Sequence, residues 1–333
     1  MDTLDRKEAI NYARAAKLLQ MEKLRDLAAI LDIPKELLLD AMMNSEAHYR
    51  TFFIPKRKGG TRQIEAPKPE LKLALSRLNY LLQLMYFRIK PDCVHGFVPT
   101  IGKSAKSYSI VSNALPHVNA KYVLNIDLKD FFHTISVWRV KHLFTSYPFY
   151  LGNDQAAFLA LLTTTNHRLP MGASTSPVIS NYACFLLDRQ LMRMSEERGW
   201  KFTRYADDLT FSSNEAITET QIEEITTMIQ RYGFAVNEKK KRLQSARGAQ
   251  VVTGLKVNEK LNVDRKFIRS IRAMLHNWEK YGLEFSALQN YGEEQFIKII
   301  DGKLNFLSMV KGKQDPVYRK LREKFITLNS ERR

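Results

Sequence analysis

The sequence predicts an α+β fold, with helices at both ends of the chain and short strands gathered in its middle. Three observations predict it. Apolar residues recur at helical spacing before residue 90, β-prone runs bounded by turn residues lie between 120 and 257, and a helical amphipathic pattern returns from 264.

Residues 1 to about 48 read as short amphipathic helices. Leu24, Leu27, Ala28 and Leu31 share a helical face, and Pro34, after Asp32, suits the first turn of the next helix. A hairpin follows, in which Thr51-Phe52-Phe53-Ile54 and Gln63-Ile64-Glu65 flank Lys56-Arg57-Lys58-Gly59-Gly60-Thr61-Arg62. Paired glycines make the turn, and four cations decorate it. Leu71, Leu75, Leu78, Leu82 and Met85 then mark a long helix over 68–89. Tyr122-Val123-Leu124-Asn125-Ile126-Asp127 is a nearly continuous apolar run, suited to a central strand, that ends in a carboxylate. Thr203-Arg204-Tyr205-Ala206 and Leu209-Thr210-Phe211-Ser212 flank Asp207-Asp208 as the arms of a tight hairpin, and 251–257 begins another strand pair. On 264–280, Ile268, Ile271, Leu275 and Trp278 form an apolar face. Lys266, Arg269, Arg272, His276 and Lys280 fall mostly opposite, with Asp264 as the N-cap.

Composition narrows the function. The 333 residues carry 52 Lys plus Arg against 35 Asp plus Glu, a net charge of +17, which points to a polyanion partner. With 44% hydrophobic residues the chain can build a core, which excludes a basic disordered tail. Cys93 and Cys184 lie far apart without a Cys-x-x-Cys pairing, which argues against a disulfide framework or zinc module and fits a cytoplasmic location. The segment Met1–Lys7 is no signal peptide, and Lys72, Arg77 and Asn79 interrupt the most apolar stretch, so no membrane span is expected. Gly102-Lys103-Ser104 suggests a phosphate-binding loop, but five residues separate Gly96 from Gly102 where four are required, and Pro99 intervenes.

Asp127 at a strand end and Asp207-Asp208 at a hairpin turn, about 80 residues apart, converge only if their strands are neighbours in one sheet. Three carboxylates so close repel one another unless cations lie between them. Two Mg²⁺ ions roughly 3.5–4 Å apart would neutralise them, one activating an attacking hydroxyl and the other holding a triphosphate and its departing pyrophosphate. Asp-Asp alone is also a common turn dipeptide, so its surroundings decide.

Those surroundings, Tyr205-Ala206-Asp207-Asp208 followed by Leu209-Thr210, and Asn125-Ile126-Asp127-Leu128-Lys129-Asp130-Phe131-Phe132, resemble the two metal-binding motifs of reverse transcriptases. Over nearly its whole length the chain is similar to the reverse transcriptases of bacterial retrons. Leu169–Pro177 resembles the segment that shapes the nascent base-pair pocket, with Met171 where glutamine is more usual and Gly172 free to approach the nucleotide through its backbone. Gly233–Lys240 resembles the segment whose lysine sits near the leaving pyrophosphate, and Lys240 matches best as the proton donor. Asn113-Ala114-Leu115-Pro116-His117 and Val252-Thr253-Gly254 have the Asn-Ala-x-x-His and Val-Thr-Gly forms associated with retron enzymes.

The resemblance implies a right-hand polymerase: N-terminal helices and fingers in 1–117, an antiparallel-sheet palm in 118–254 with a finger insertion at about 138–168, and a helical RNA-binding thumb in 255–333. It implies that Phe132 lies under the sugar of the incoming deoxynucleotide, where a ring collides with a ribose 2′-OH. Arg62 and Lys103 become candidates for gripping the triphosphate. Asn113, His117, Val252, Thr253 and Gly254 would help to recognise a cognate structured RNA, and Lys266, Arg269 and Arg272 would meet a phosphate backbone. The expected activity is RNA-directed DNA synthesis from part of a dedicated non-coding RNA, primed by an RNA 2′-OH and yielding branched msDNA. A separate effector protein acting in anti-phage defence and a host ribonuclease H are the expected partners. A group II intron-like or other domesticated reverse transcriptase is the nearest alternative, though no Cys/His nuclease module is visible. A non-catalytic RNA-binding scaffold is a third reading.

Overall fold

A computed structural model of the chain describes residues 12–56, 59–100, 107–287 and 292–331. Helix α1 covers 12–18. Helix α2 (Leu24–Leu31) starts where the Asp26 carboxylate accepts from the backbone N–H groups of Glu22 and Lys23, and ends at Asp32 in the left-handed conformation. Helix α3 (Lys35–Met43) follows; Pro34 is its N-cap, one position ahead of the expected first turn.

Strands β1 (Tyr49–Pro55) and β2 (Thr61–Pro67) form the expected antiparallel hairpin, in register from Tyr49↔Pro67 to Pro55↔Thr61. Most of β1 is exposed, Phe53 to 64%, whereas β2 is largely half-buried and buries Glu65 completely. Helix α4 (Pro69–Ile89) buries the predicted stripe of Leu71, Leu75, Leu78 and Leu82. Helix α5 (Ile110–Ala114) is a short turn whose capping Ser109 accepts from Val111 and Ser112 N–H.

The central sheet has the order β4-β5-β3-β6, all antiparallel. Its members are β3 (Tyr122–Asp127), β4 (Lys201–Tyr205), β5 (Asp208–Ser213) and β6 (Arg242–Ser245). Between β3 and β4 come α6 (Val137–Thr145), α7 (Asn153–Thr163) and α8 (Ser176–Glu197); α9 (Glu219–Arg231) separates β5 from β6. Strand alternation sorts the residues by face. Leu124 and Ile126 of β3, with Leu209 and Phe211 of β5, enter a large core shared with the N-terminal helices and α6–α9. The opposite face carries Asn125 and Asp127 beside Thr210 and Asp208.

A short hairpin of β7 (Val251–Val252) and β8 (Leu255–Lys256) leads into α10 (Arg265–Tyr281), α11 (Leu283–Ala287), α12 (Glu293–Lys311) and α13 (Pro316–Ser330). These elements close a second core around Ile271, Leu275, Trp278, Phe296 and Phe325. It touches the sheet through Val123 and α5 through Ala114. Asp264 caps α10 as expected, accepting from Lys266 N–H at 2.7 Å. Among the described residues, no helix is long and apolar enough to cross a membrane.

Candidate metal and nucleotide site

The register of β3 and β5 places Asp127 directly opposite Asp208. Asp207 sits in the two-residue turn with Ala206, which is in the left-handed conformation at φ +58°. The turn is fixed on both sides. Leu128 N–H donates to the Asp207 carbonyl at 2.9 Å, and a Cβ on Gly96 would lie 2.4 Å from Ala206 N, so only glycine lets that segment pass. From beneath, Arg204 forms a fully buried two-pronged pair with Asp188 of α8, at 2.6 and 2.7 Å, and donates to the Ala206 carbonyl at 3.0 Å.

Crowding shows in the protonation of these groups. Burial, then the charges of Asp207 and Asp127, pushes the Asp208 carboxyl up to about 6. Burial and then Asp127 raise Asp207, against the opposing pull of Lys240 and Arg62. Asp127 is occupied by protein donors: Lys240 Nζ donates to Oδ1 at 2.7 Å and Asn237 Nδ2 to Oδ2 at 3.1 Å. Its hydrogen bond to Asp127 raises the Lys240 ammonium above its ordinary value, so it is charged at neutral pH. Within the lysine run, Lys241 pairs instead with Glu238 at 2.7 Å, which singles out Lys240 as the one facing the carboxylates.

Among the described residues, no three His, Cys, Asp or Glu side chains stand as a ready-made metal cage, so the expected convergence is only partly assembled. The donor set nevertheless suits a hard divalent cation. It offers carboxylate oxygens only, close enough to hinder one another's ionisation, with an ammonium as the present countercharge.

A cleft of about 730 Å³ opens beside the carboxylates. It is lined by Arg62 of β2, Phe132, Met171, Gly172, Asp127, Asp207 and Lys240, so residues from five separate segments meet there. Phe131 and Phe132 both line the cleft; Phe131 is buried against Phe234, and the half-buried Phe132 has its ring 6.1 Å from that of Phe97. Gly172, at φ +151°, stands where a Cβ would come 2.6 Å from the Glu65 carbonyl oxygen; its smallness serves the approach of β2. Asp130 is exposed in a left-handed turn and also lines the cleft. Lys103 lies outside the described residues.

The model of the reverse transcriptase (RNA-dependent DNA polymerase) family matches residues 54–257. Retron Mx65 reverse transcriptase of Myxococcus xanthus is 39% identical over 69% of this chain and 56% of its own length. Retron Mx162 reverse transcriptase of the same organism is 32% identical over 90% and 68%, and retron Ec86 reverse transcriptase of Escherichia coli 31% over 77% and 78%. The chain belongs to the retron reverse transcriptases, a family of RNA-directed DNA polymerases. Its fold is the right-hand polymerase fold.

In this retron reverse transcriptase the two marker motifs are neighbours. Thr253 Oγ1 donates to the Ile110 carbonyl at 3.3 Å, which joins the β7–β8 turn to α5. Three residues expected to touch RNA do not reach the surface. Asn113 and His117 are fully buried, and Val252 belongs to the second core. His117 bridges the hairpin, with Ser212 Oγ at 2.7 Å and Thr203 Oγ1 at 2.8 Å, and burial pushes its pKa down to about 3. These hydroxyls on β4 and β5 draw the imidazole inward, so it braces the strands that carry Asp207-Asp208. Thr253 is half-buried, Gly254 is exposed, and Lys266, Arg269 and Arg272 stand on the solvent face of α10.

Sequence reasoning missed the Asp188–Arg204 pair. One signal was present: Asp188 is a lone acid among Cys184, Leu187 and Leu191 on the buried face of α8.

Proposed function

We propose that this chain is the polymerase of a retron. It copies part of a cognate structured non-coding RNA into branched msDNA by two-metal nucleotidyl transfer, starting from an RNA 2′-OH. The observation that carries the reading is the single cleft in which Asp127, Asp207, Lys240, Arg62 and Phe132 meet, with Asp208 paired to Asp127.

Asp127, Asp207 and Asp208 would hold two Mg²⁺ ions. When bound, they supply Lewis-acid activation of the attacking hydroxyl and neutralise the triphosphate of a dNTP. Arg62, reaching in from β2, neutralises further phosphate charge. Lys240 holds a proton beside the carboxylates and delivers it to the departing pyrophosphate. Phe132 closes the sugar side of the cleft, so a ribose 2′-OH collides with its ring, and Met171 with Gly172 shapes the base side. The polymerase parts are N-terminal helices and fingers in 1–117, a palm in 118–254 with a finger insertion at about 138–168, and a thumb in 255–333. Lys266, Arg269 and Arg272 then lie along the template–product backbone, while Thr253 and Gly254 offer a turn that RNA can touch. A separate effector protein, a role in anti-phage defence, a host ribonuclease H and a cytoplasmic setting complete the proposal.

The test is to sequence the nucleic acid that co-purifies with the protein and to extend it with dNTPs and Mg²⁺. A covalent branch joining RNA 2′-O to DNA is the expected result. Extension only from added primers on arbitrary RNA would favour an intron-like reverse transcriptase, and tight RNA binding without extension would favour a scaffold.

A further inference from the structure

Glu65 of β2 is fully buried, with no place in the chemistry derived above. Its carboxylate gathers donors from two other segments. Oε1 accepts from Arg168 Nη2 at 3.1 Å; Oε2 accepts from His133 Nε2 at 3.2 Å and from Met171 N–H at 3.3 Å. Its own N–H donates to the Met171 carbonyl at 3.0 Å, and Gly172 packs against its carbonyl oxygen.

The surroundings of these partners matter more than their number. His133 directly follows Phe132, and Met171 and Gly172 form the facing wall of the cleft, whereas Glu65 itself does not line it. Without Glu65 the loop after β3, the segment at 168–172 and the hairpin β1–β2 have no shared charged centre at this point. A buried carboxylate is tolerated only when its lone pairs are filled, so the donors must stay where they are. That requirement fixes the distance between the ring of Phe132 and the backbone at 171–172.

We propose that Glu65 is a positioning residue that sets the width of the nucleotide cleft and, through it, the preference for a deoxyribose sugar. This rests on reading the cleft as the nucleotide site. A neutral amide in place of the carboxylate keeps the volume but turns one acceptor into a donor facing donors.

Glu65→Gln is therefore expected to raise KM for dNTPs roughly ten- to hundredfold with a smaller change in kcat. KM for ribonucleotides should rise less, so discrimination between dTTP and UTP falls, while RNA affinity holds. Arg168→Met, which removes one donor outside the cleft, should move both readouts in the same direction by a smaller factor, and it carries the test should Glu65→Gln fail to fold. Steady-state primer extension with dTTP and UTP gives both readouts, and binding of a fluorescent dNTP is measured alongside. A wild-type protein that neither extends nor binds the dNTP overturns the site reading together with this inference. A wild type that does both, with the variants matching it in KM and sugar discrimination, overturns the inference alone. So does a uniform fall in kcat for both sugars with unchanged KM and a lower melting temperature, the mark of a fold brace.

Discussion

In the proposed function the hairpin β4–β5 serves bond making and the helix α10 meets a phosphate backbone, and the two are held in opposite ways. The hairpin is tied from every side: to Leu128 above, to Gly96 at its flank, to the buried Asp188–Arg204 pair beneath and to His117 across its strands. On α10 only the apolar face is fastened, through Ile271, Leu275 and Trp278, and the cations stand in solvent. Bond making tolerates displacements well under an ångström, so its residues need supports that cannot relax. Binding a phosphate backbone needs only positive charge within a Debye length, and long exposed side chains supply it.

Breaking the support should therefore be costlier than removing the charges. Asp188→Ala leaves the Arg204 guanidinium uncompensated in a fully buried position. It is expected to destabilise the protein by about 3–5 kcal/mol, read as a lowered denaturant midpoint. An unchanged midpoint would remove the pair from its role. Asp207→Asn should lower the rate of extension about 100- to 1,000-fold or more with the midpoint unmoved or slightly raised, because a crowded carboxylate is neutralised. Single-turnover extension beside a melting curve distinguishes the two variants; loss of both properties in Asp207→Asn would mean that this aspartate supports the fold rather than the reaction.

His117 sharpens the same contrast through pH. Its folded pKa is about 3 against an ordinary 6.5, so the folded state prefers the neutral ring. Between those values the unfolded chain binds more protons, and stability rises with pH. The contribution is present above 6.5 and is lost as pH falls towards 3, with a slope of at most about 1.4 kcal/mol per pH unit. Subtracting the same measurement on His117→Gln isolates the effect; parallel stability–pH curves between pH 4 and 7 would contradict it.

The parts legible in the sequence were those marked by local pattern. Helix α4 announced itself through leucines at helical spacing, β5 through alternation around an Asp-Asp turn, and α10 through one face of each kind with a capping aspartate. The supports escaped because their partners are remote and carry no local sign. Glu65 meets residues 68 to 106 positions away, and His117 meets hydroxyls 86 and 95 positions away. The family resemblance implies an RNA role for Asn113 and His117, and nothing local in the sequence marks them as buried. The burial of the His117 ring depends on Thr203 and Ser212 offering hydroxyls on the inner strands, and Thr203 also donates to the Asn113 carbonyl, which only the sheet register reveals. The two aspartate motifs were readable one by one, yet the partial capture of Asp127 by Lys240 and Asn237 was not.

The smallest effects belong to α10. Lys266→Ala, Arg269→Ala and Arg272→Ala each remove one exposed cation from a surface that keeps its neighbours, and none disturbs the packed face of α10. Each should weaken binding of the RNA–DNA product less than tenfold and lower the slope of log affinity against log salt by roughly 0.7–0.9. The three together should add, because counterion release from separated phosphates is independent at each contact. Filter binding across a salt series measures this directly. A single variant that abolished binding without changing the salt slope would show that α10 recognises shape through fixed contacts, and the contrast with the hairpin would then dissolve.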